Sequence, residues 1–140
     1  MQELINVRVH DYYWDEDLSC AVTTLKILSE LFYTELHPQV VEAAFGLNAG
    51  RFGSQCGLVE GALLFIGSYG SYRNMNKEKI TAICHEFCRK FQAHFGSLLC
   101  NELRTQGFSP GNPPHLCENI TKQAVAFSAQ FIVEEMGMAC

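Results

Sequence analysis

Apolar residues recur at steps of three and four along most of the chain, which is the spacing of one face of an α-helix. Between these stripes lie short stretches rich in glycine, proline and serine, which are typical of turns. The predicted helices run from Asp15 to Phe32, Val40 to Phe45, about Gln55 to Ile66, the cap Asn76 to Phe95, Ser97 to Arg104, and through Ile120 toward Met136. The pattern therefore predicts an all-α fold, a compact bundle of about five to six helices with short connections.

Polar residues that cap helices and residues that break them mark the ends of these segments. Asp15 or Asp17, Ser54 and Asn76 can each accept hydrogen bonds from the free N–H groups of a following first turn. Pro38 suits the first turn of the second helix because its fixed φ is helical. Helix ends are predicted at Gly46, Gly67 and Gly96, with loops over 46–53 and 106–115.

The first fourteen residues have a different pattern. Ile5, Val7 and Val9 alternate with polar neighbours at a period of two, which is typical of a half-buried strand. Because no second strand follows, residues 1–14 are predicted to form an extended arm that ends in three aromatic residues, at positions 12–14. If exposed, this aromatic cluster favours a homodimer surface, since aromatic residues are enriched at interface hot spots; it could equally be buried within its own domain.

Length, composition and charge limit the class of protein. A chain of 140 residues with 48% apolar residues fits one domain, 1–140, in which 15–136 forms the cysteine-bearing helical core. A formal charge of −5, with no basic run longer than Arg89-Lys90, argues against a nucleic-acid partner. The sequence has no membrane-spanning stretch and no signal-peptide pattern at its N-terminus, so a cytoplasmic location is expected.

Seven cysteines, an odd number, cannot all pair within the chain. In a reducing compartment, clustered cysteines indicate metal or redox chemistry more often than structural disulfides. Cys56 stands out because a glycine-rich loop leads into it and a cap at Ser54 would place it about two residues inside a helix. The helix dipole and free N–H groups there would lower its pKa, so Cys56 is expected to be the most reactive thiol. The alternative is a small buried cysteine in a tight turn.

Gly57 and Gly61 lie one helical turn apart on the same face of the third predicted helix. Each costs roughly 1 kcal/mol of helix propensity relative to alanine, so some other interaction must offset that cost. Close approach of a neighbouring helix is one explanation, which would bring other thiols near Cys56. Packing without chemistry is the other.

Four of the cysteines stand in segments that together form a family pattern. The segments are Asp17-Leu-Ser-Cys20-Ala-Val, Gly53-Ser-Gln-Cys56-Gly-Leu-Val-Glu-Gly61-Ala-Leu, Phe95-Gly-Ser-Leu-Leu-Cys100-Asn-Glu-Leu and His115-Leu-Cys117-Glu-Asn. Over residues 15 to 135 the chain resembles the redox-active proteins named for their C-GCAxxG-C-C cysteine pattern, with Leu58 where alanine is usual. The resemblance implies a helical protein whose four cysteines meet at one site for redox or metal chemistry, and it supplies no established reaction.

The remaining cysteines and histidines are weaker candidates. Cys84 and Cys88 lie on one helical face beside His85 and could bind a metal together or form an oxidisable pair, but the apolar stripe around Cys84 favours a core position. His85 and His94 flank the aromatic stripe and are expected to be structural. His115, two residues from Cys117, could complete a metal site or raise that thiol's reactivity. Cys140 is expected to be an exposed terminal thiol.

These observations support three hypotheses. The first is a thiol redox protein in which Cys56 and a resolving partner among Cys20, Cys100 and Cys117 cycle between dithiol and disulfide, exchanging electrons with an unknown redox partner and needing no cofactor. The second is a non-catalytic module that binds zinc or an iron–sulfur cluster through all four thiolates. Long intervals between the cysteines favour the metal-free hypothesis over the second. The third is a structural helical adaptor.

Overall fold

The computed structural model describes residues 1–104, 107 and 109–137, and in this part of the chain the regular elements are helical. Seven right-handed α-helices follow one another: α1 Gln2–Trp14, α2 Cys20–Leu31, α3 Pro38–Ala43, α4 Gly57–Tyr72, α5 Lys77–Phe95, α6 Cys100–Leu103 and α7 Glu118–Met136. Short 3₁₀ turns at Ala44–Gly46 and Pro114–Cys117 complete the helical segments. The all-α prediction is confirmed, with more helices than expected. None of the described helices has the length and apolar character needed to cross a bilayer.

The prediction of an extended N-terminal arm is wrong, because residues 2–14 form helix α1. Ile5, Val9 and Tyr13 are spaced four residues apart, and this face is buried against the rest of the fold. Ile5 and Val9 fit both a helical and a strand pattern. Only Val7 distinguishes the two patterns, because a strand would bury it and a helix would expose it. Val7 is 49% exposed, as a helix requires. Helix α1 therefore packs against α2 and α7 as part of the bundle.

Helix α2 lies at the centre, in contact with α1, α4 and α7. The glycines of α4 explain its close contact with α2. A Cβ added at Gly57 would lie 2.8 Å from the Ala21 backbone N, and one added at Gly61 would overlap the Ala21 carbonyl oxygen. The predicted close helix approach is confirmed, and it brings the start of α4 against the start of α2.

Helices α5 and α7 enclose an aromatic region of the core. Phe87 and Phe91 of α5 are buried and pack against Phe127 and Phe131 of α7. The predicted boundaries of α5 are confirmed, because the Asn76 side chain accepts a hydrogen bond from the Lys79 N–H and Gly96 ends the helix with a φ of 93°.

Three helix boundaries differ from the sequence prediction. Ser19, and not Asp15 or Asp17, caps α2 by accepting a hydrogen bond from the Val22 N–H. Helix α4 begins directly after Cys56 and continues past Gly67 to Tyr72, because its apolar face stays buried there. The predicted helix over 97–104 is limited to α6, since residues 97–99 pair with the segment before α4. Cys140 lies outside the described residues.

Candidate functional site

Four cysteines lie at the starts of four helices. Cys20 and Cys100 are the first residues of α2 and α6, and Cys56 and Cys117 immediately precede α4 and α7. All four line one cavity of about 290 Å³. The four cysteines therefore come together as expected, and the N-termini of the longer helices α2, α4 and α7 point to the place where the thiols lie.

Backbone contacts hold these cysteines in place. The Cys56 N–H donates to the Leu98 carbonyl and the Cys100 N–H to the Ser54 carbonyl, each at 2.8 Å, on either side of an antiparallel bridge between Gln55 and Leu99. This two-stranded contact joins the starts of α4 and α6. Gly57 joins α4 to α2, because a Cβ there would lie 2.9 Å from the Cys20 Cβ. The site is thus built from the same close contacts that pack the helices.

Cys117 differs from the other cysteines in its ionisation. Its pKa is lowered to about 7, first because the Cys20 thiol donates a hydrogen bond to it and then because the Arg104 guanidinium is nearby, although burial opposes both. The same hydrogen bond, together with burial, raises the pKa of Cys20 well above its ordinary value. At neutral pH, Cys117 is therefore substantially thiolate while Cys20 keeps its proton.

Two residues that the sequence analysis did not select extend this hydrogen-bonded pair. Tyr13, buried on α1, is close enough to Cys20 that its hydroxyl favours the Cys20 thiolate. The Tyr13 hydroxyl lies 2.7 Å from the hydroxyl of Thr121, which is buried on α7. Tyr13 and Thr121 therefore lie directly behind the Cys20–Cys117 pair. The period of four from Ile5 to Tyr13 is the sequence signal that could have placed Tyr13 inside.

The expected low pKa at Cys56 is contradicted. Burial raises its pKa to about 12, although the N–H groups of Leu58 and Val59 at the helix start favour the thiolate. The neighbouring Cys100 raises the pKa of Cys56 further, because two thiolates this close together would repel each other. Cys56 is only 6% exposed, and this burial outweighs the effect of the helix start. Cys56 stays protonated at neutral pH.

A strained turn forms part of the cavity wall. Leu47–Arg51 is a left-handed turn in which Asn48, Ala49 and Arg51 have φ between 49° and 68°. Each such non-glycine residue costs of order 1 kcal/mol, so the surroundings must hold them. The Glu60 carboxylate accepts a hydrogen bond from the Asn48 N–H at 2.9 Å, and the Asn48 side chain donates to the Gln55 carbonyl and accepts from the Gly53 N–H. Leu47, Asn48 and Arg51 all line the cavity.

His115 is not among the residues that line the four-cysteine cavity. Its ring stacks on Trp14, with centroids 3.9 Å apart. The Trp14 indole N–H donates to Glu118, which also pairs with Lys122 at 2.7 Å and lies 3.3 Å from His10. These contacts lower the pKa of Glu118 to about 2 and join the end of α1 to the start of α7. His115 lies in the 3₁₀ turn that ends at Cys117, and it contacts α1 through the stack on Trp14.

Cys84 and Cys88 lie apart from the cavity, one turn apart on α5 and half-buried. Burial raises the pKa of both, and the nearby Cys88 raises that of Cys84 further. Their packing against the core agrees with the structural interpretation of Cys84. His85, between them in sequence, is exposed, as is His94, which stacks on Phe127.

The arrangement of the cysteines does not reproduce a metal site. Within the described ranges, no three or more His, Cys, Asp or Glu side chains are grouped closely enough to hold a metal ion. The four cysteines share a cavity, but their sulfur atoms do not form the compact ligand set of a zinc or iron–sulfur centre.

Comparison with known proteins agrees with this site. The model of the family described as "Putative redox-active protein (C_GCAxxG_C_C)" matches residues 18–131 of the chain. The match includes all four cysteines of the cavity. No curated protein and no solved structure is found to match the chain.

Proposed function

The chain belongs to this redox-active protein family, and on that premise we propose that it is a thiol redox protein in which Cys117 and Cys20 cycle between dithiol and disulfide. The observation that carries the proposal is that Cys20 and Cys117 line the same cavity and interact there, so that the pKa of Cys117 falls to about 7 while that of Cys20 rises. Thiol–disulfide exchange needs an attacking thiolate and a second thiol within reach of the mixed disulfide. Cys117 supplies the first and Cys20 the second.

The proposed reaction has two steps. The Cys117 thiolate attacks one sulfur of an external disulfide, so that a mixed disulfide forms and one thiolate leaves. Cys20 then loses its proton to the second leaving sulfur and attacks Cys117, which closes the Cys20–Cys117 disulfide and releases the second thiol. Two electrons pass from the protein to the external disulfide. An external dithiol reverses both steps and restores the reduced pair.

This assignment replaces Cys56 as the attacking thiol. With a pKa of about 12, the Cys56 thiol has almost no thiolate at neutral pH. Arg104 and the donated Cys20 proton give Cys117 two stabilising contacts that offset its burial. Cys56 and Cys100, held side by side by backbone hydrogen bonds, remain as a second pair of thiols that could exchange with the first.

The test is the thiol released from hydroxyethyl disulfide at pH 7 in a rapid phase. Wild type is expected to release two thiols per chain. Cys20→Ser should release one and keep the mixed disulfide on Cys117, and Cys117→Ser should release none. Cys88→Ser, a matched control outside the cavity, should behave as wild type.

Two results would overturn the proposal. One is a rapid release of two thiols by Cys117→Ser, which would place the attacking sulfur elsewhere. The other is near-stoichiometric iron or zinc in protein purified without oxygen that disappears in Cys117→Ser, because the cavity would then be a metal centre.

A further inference from the structure

The cavity limits what can reach the thiols. Cys56, Cys100 and Cys117 are each no more than 8% exposed, and Cys20 is half-buried. The disulfide of a folded partner protein would have to reach into a space of about 290 Å³ in which most of the thiols are buried. A small molecule of this volume can enter that space, because cavities of this size are typical of small-ligand sites. The buried position of the thiols therefore favours a low-molecular-weight disulfide.

Cationic side chains border the cavity. Arg51 and Arg104 line it, with Asp17 as the carboxylate among the lining residues. The N-termini of the longer helices α2, α4 and α7 add partial positive charge, which stabilises anions near the first turn of a helix. Arg104 already stabilises the Cys117 thiolate. Arg51 lies far from Arg104 in the sequence, on the left-handed turn Leu47–Arg51. Its side chain is exposed and available to a ligand.

The turn that carries Arg51 is an independent sign of function. Backbone strain at non-glycine residues persists only where the surroundings hold it, and such strain clusters at ligand sites. Here the Glu60 carboxylate, near the start of α4, accepts a hydrogen bond from the Asn48 N–H and so holds the left-handed turn in place. The chain thus maintains an unfavourable conformation at the place where a basic side chain borders the cysteine cavity.

Apolar lining residues complete the site. They include Leu18, Phe45, Leu47, Leu58 and Ile120. This surface suits the methylene groups between a disulfide and a terminal charge, since burying them is favourable by about 0.8 kcal/mol for each CH₂.

We propose that the cavity binds the disulfide of a small carboxylated thiol, with Arg51 on the strained turn recognising a carboxylate while Cys117 attacks the nearer sulfur. The inference rests on the proposed function, and its bond changes are those given above. Both leaving groups are carboxylated thiols: the first departs as a thiolate when Cys117 attacks, and the second takes the Cys20 proton when the protein disulfide closes.

The experiment compares three disulfides of different charge: dithiodipropionate, hydroxyethyl disulfide and cystamine. Each rate of mixed-disulfide formation at Cys117 is divided by the rate of the same disulfide with free mercaptoethanol, which removes differences in intrinsic reactivity. We expect wild type to prefer dithiodipropionate over cystamine. Arg51→Gln should slow dithiodipropionate about fivefold, the effect of one exposed ion pair, and leave hydroxyethyl disulfide unchanged.

Further variants separate charge from structure. Arg51→Lys should restore much of the rate because it keeps the charge, and Arg89→Gln, an exposed arginine on α5, should change nothing. Glu60→Ala removes the acceptor that holds the turn, so it should weaken the preference with Arg51 still present. Equal slowing of all three disulfides by Arg51→Gln would overturn the inference. Equal normalised rates in wild type would also overturn it, while the rapid two-thiol release would leave the proposed function intact.

Discussion

Two of the pairs of neighbouring cysteines have contrasting surroundings. Cys20 and Cys117 lie at helix starts in a cavity, share a hydrogen bond, and one of them has a lowered pKa. Cys84 and Cys88 lie in the middle of α5, half-buried, and both have raised pKa values. The comparison shows that closeness of two thiols does not make a reactive pair. The interaction with Cys20 and the nearby Arg104 guanidinium lower the pKa of Cys117, and Cys84 and Cys88 lack such neighbours among the described residues.

The largest expected difference between the pairs is in their pH dependence. Only the thiolate reacts with iodoacetamide, so the alkylation rate of each cysteine rises as pH passes through its pKa. We expect half-maximal alkylation of Cys117 near pH 7, and that of Cys84 and Cys88 above their ordinary value of 9. Peptide mass mapping at graded pH measures each midpoint separately, so differences in access do not affect it. If the pH of half-maximal alkylation is as high for Cys117 as for Cys84, or higher, the proposed difference between the two pairs is wrong.

The second prediction concerns the glycine contact that holds Cys20 beside α4. Gly61→Ala is expected to reduce the free energy of unfolding by about 1–3 kcal/mol, because the new methyl group overlaps the Ala21 carbonyl. Gly67→Ala is the matched control on the same helix. A Cβ there meets no heavy atom within 4 Å among the described residues, so it should stabilise by up to about 1 kcal/mol. Urea unfolding measures the free energy of unfolding of both variants. Equal changes in Gly61→Ala and Gly67→Ala would argue against close helix packing at the site.

The third prediction tests the hydrogen-bond network behind the reactive pair. Tyr13→Phe is expected to reduce the free energy of unfolding by about 1–2 kcal/mol, because it leaves the buried Thr121 hydroxyl without this partner. It should also slow closure of the Cys20–Cys117 disulfide, since the Tyr13 hydroxyl favours the Cys20 thiolate. Tyr72→Phe, at a residue 81% exposed, is the control. If Tyr13→Phe changes neither the free energy of unfolding nor the rate at which the Cys20–Cys117 disulfide closes, Tyr13 has no role in the site.

The smallest expected effect is at Glu118, which ties α1 to the start of α7. Glu118→Gln should reduce the free energy of unfolding by less than about 1 kcal/mol, as for other partly exposed ion pairs. The pKa of Glu118 is lowered by folding, so its contribution is present at neutral pH and is lost as pH falls from about 4.5 toward 2. Fluorescence of Trp14, the only tryptophan, should report the loss in that pH range. A wild type and variant with identical acid titrations would contradict this role.

The fold was largely predictable where the signals are local. The cap at Asn76, the end at Gly96 and the apolar stripe between them lie within one segment, and they determine α5 without help from the rest of the chain. The N-terminal segment was not predictable in the same way. Ile5 and Val9 fit both a strand and a helix, and the choice depends on packing against α2 and α7, which lie far along the sequence.

The site was predictable as a set of cysteines but not in its chemistry. The resemblance to the family implied that the four cysteines meet, and the glycines at 57 and 61 indicated a close approach of two helices. Which thiol ionises depends on the Cys20 proton and on Arg104, neighbours of Cys117 in space and not in a sequence motif. Burial of Cys56 likewise depends on the assembled bundle, and it outweighs the helix start on which the sequence argument relied.

The central claim is that Cys117 and Cys20 form the redox pair, and mapping of the disulfide formed under mild oxidation tests it most directly. The protein is treated with one equivalent of hydroxyethyl disulfide at pH 7, remaining thiols are blocked, and the linked peptides are identified by mass spectrometry. The account predicts a Cys20–Cys117 bridge as the first disulfide, with Cys84 and Cys88 still free. A first bridge between Cys84 and Cys88, or one that excludes Cys117, would contradict it.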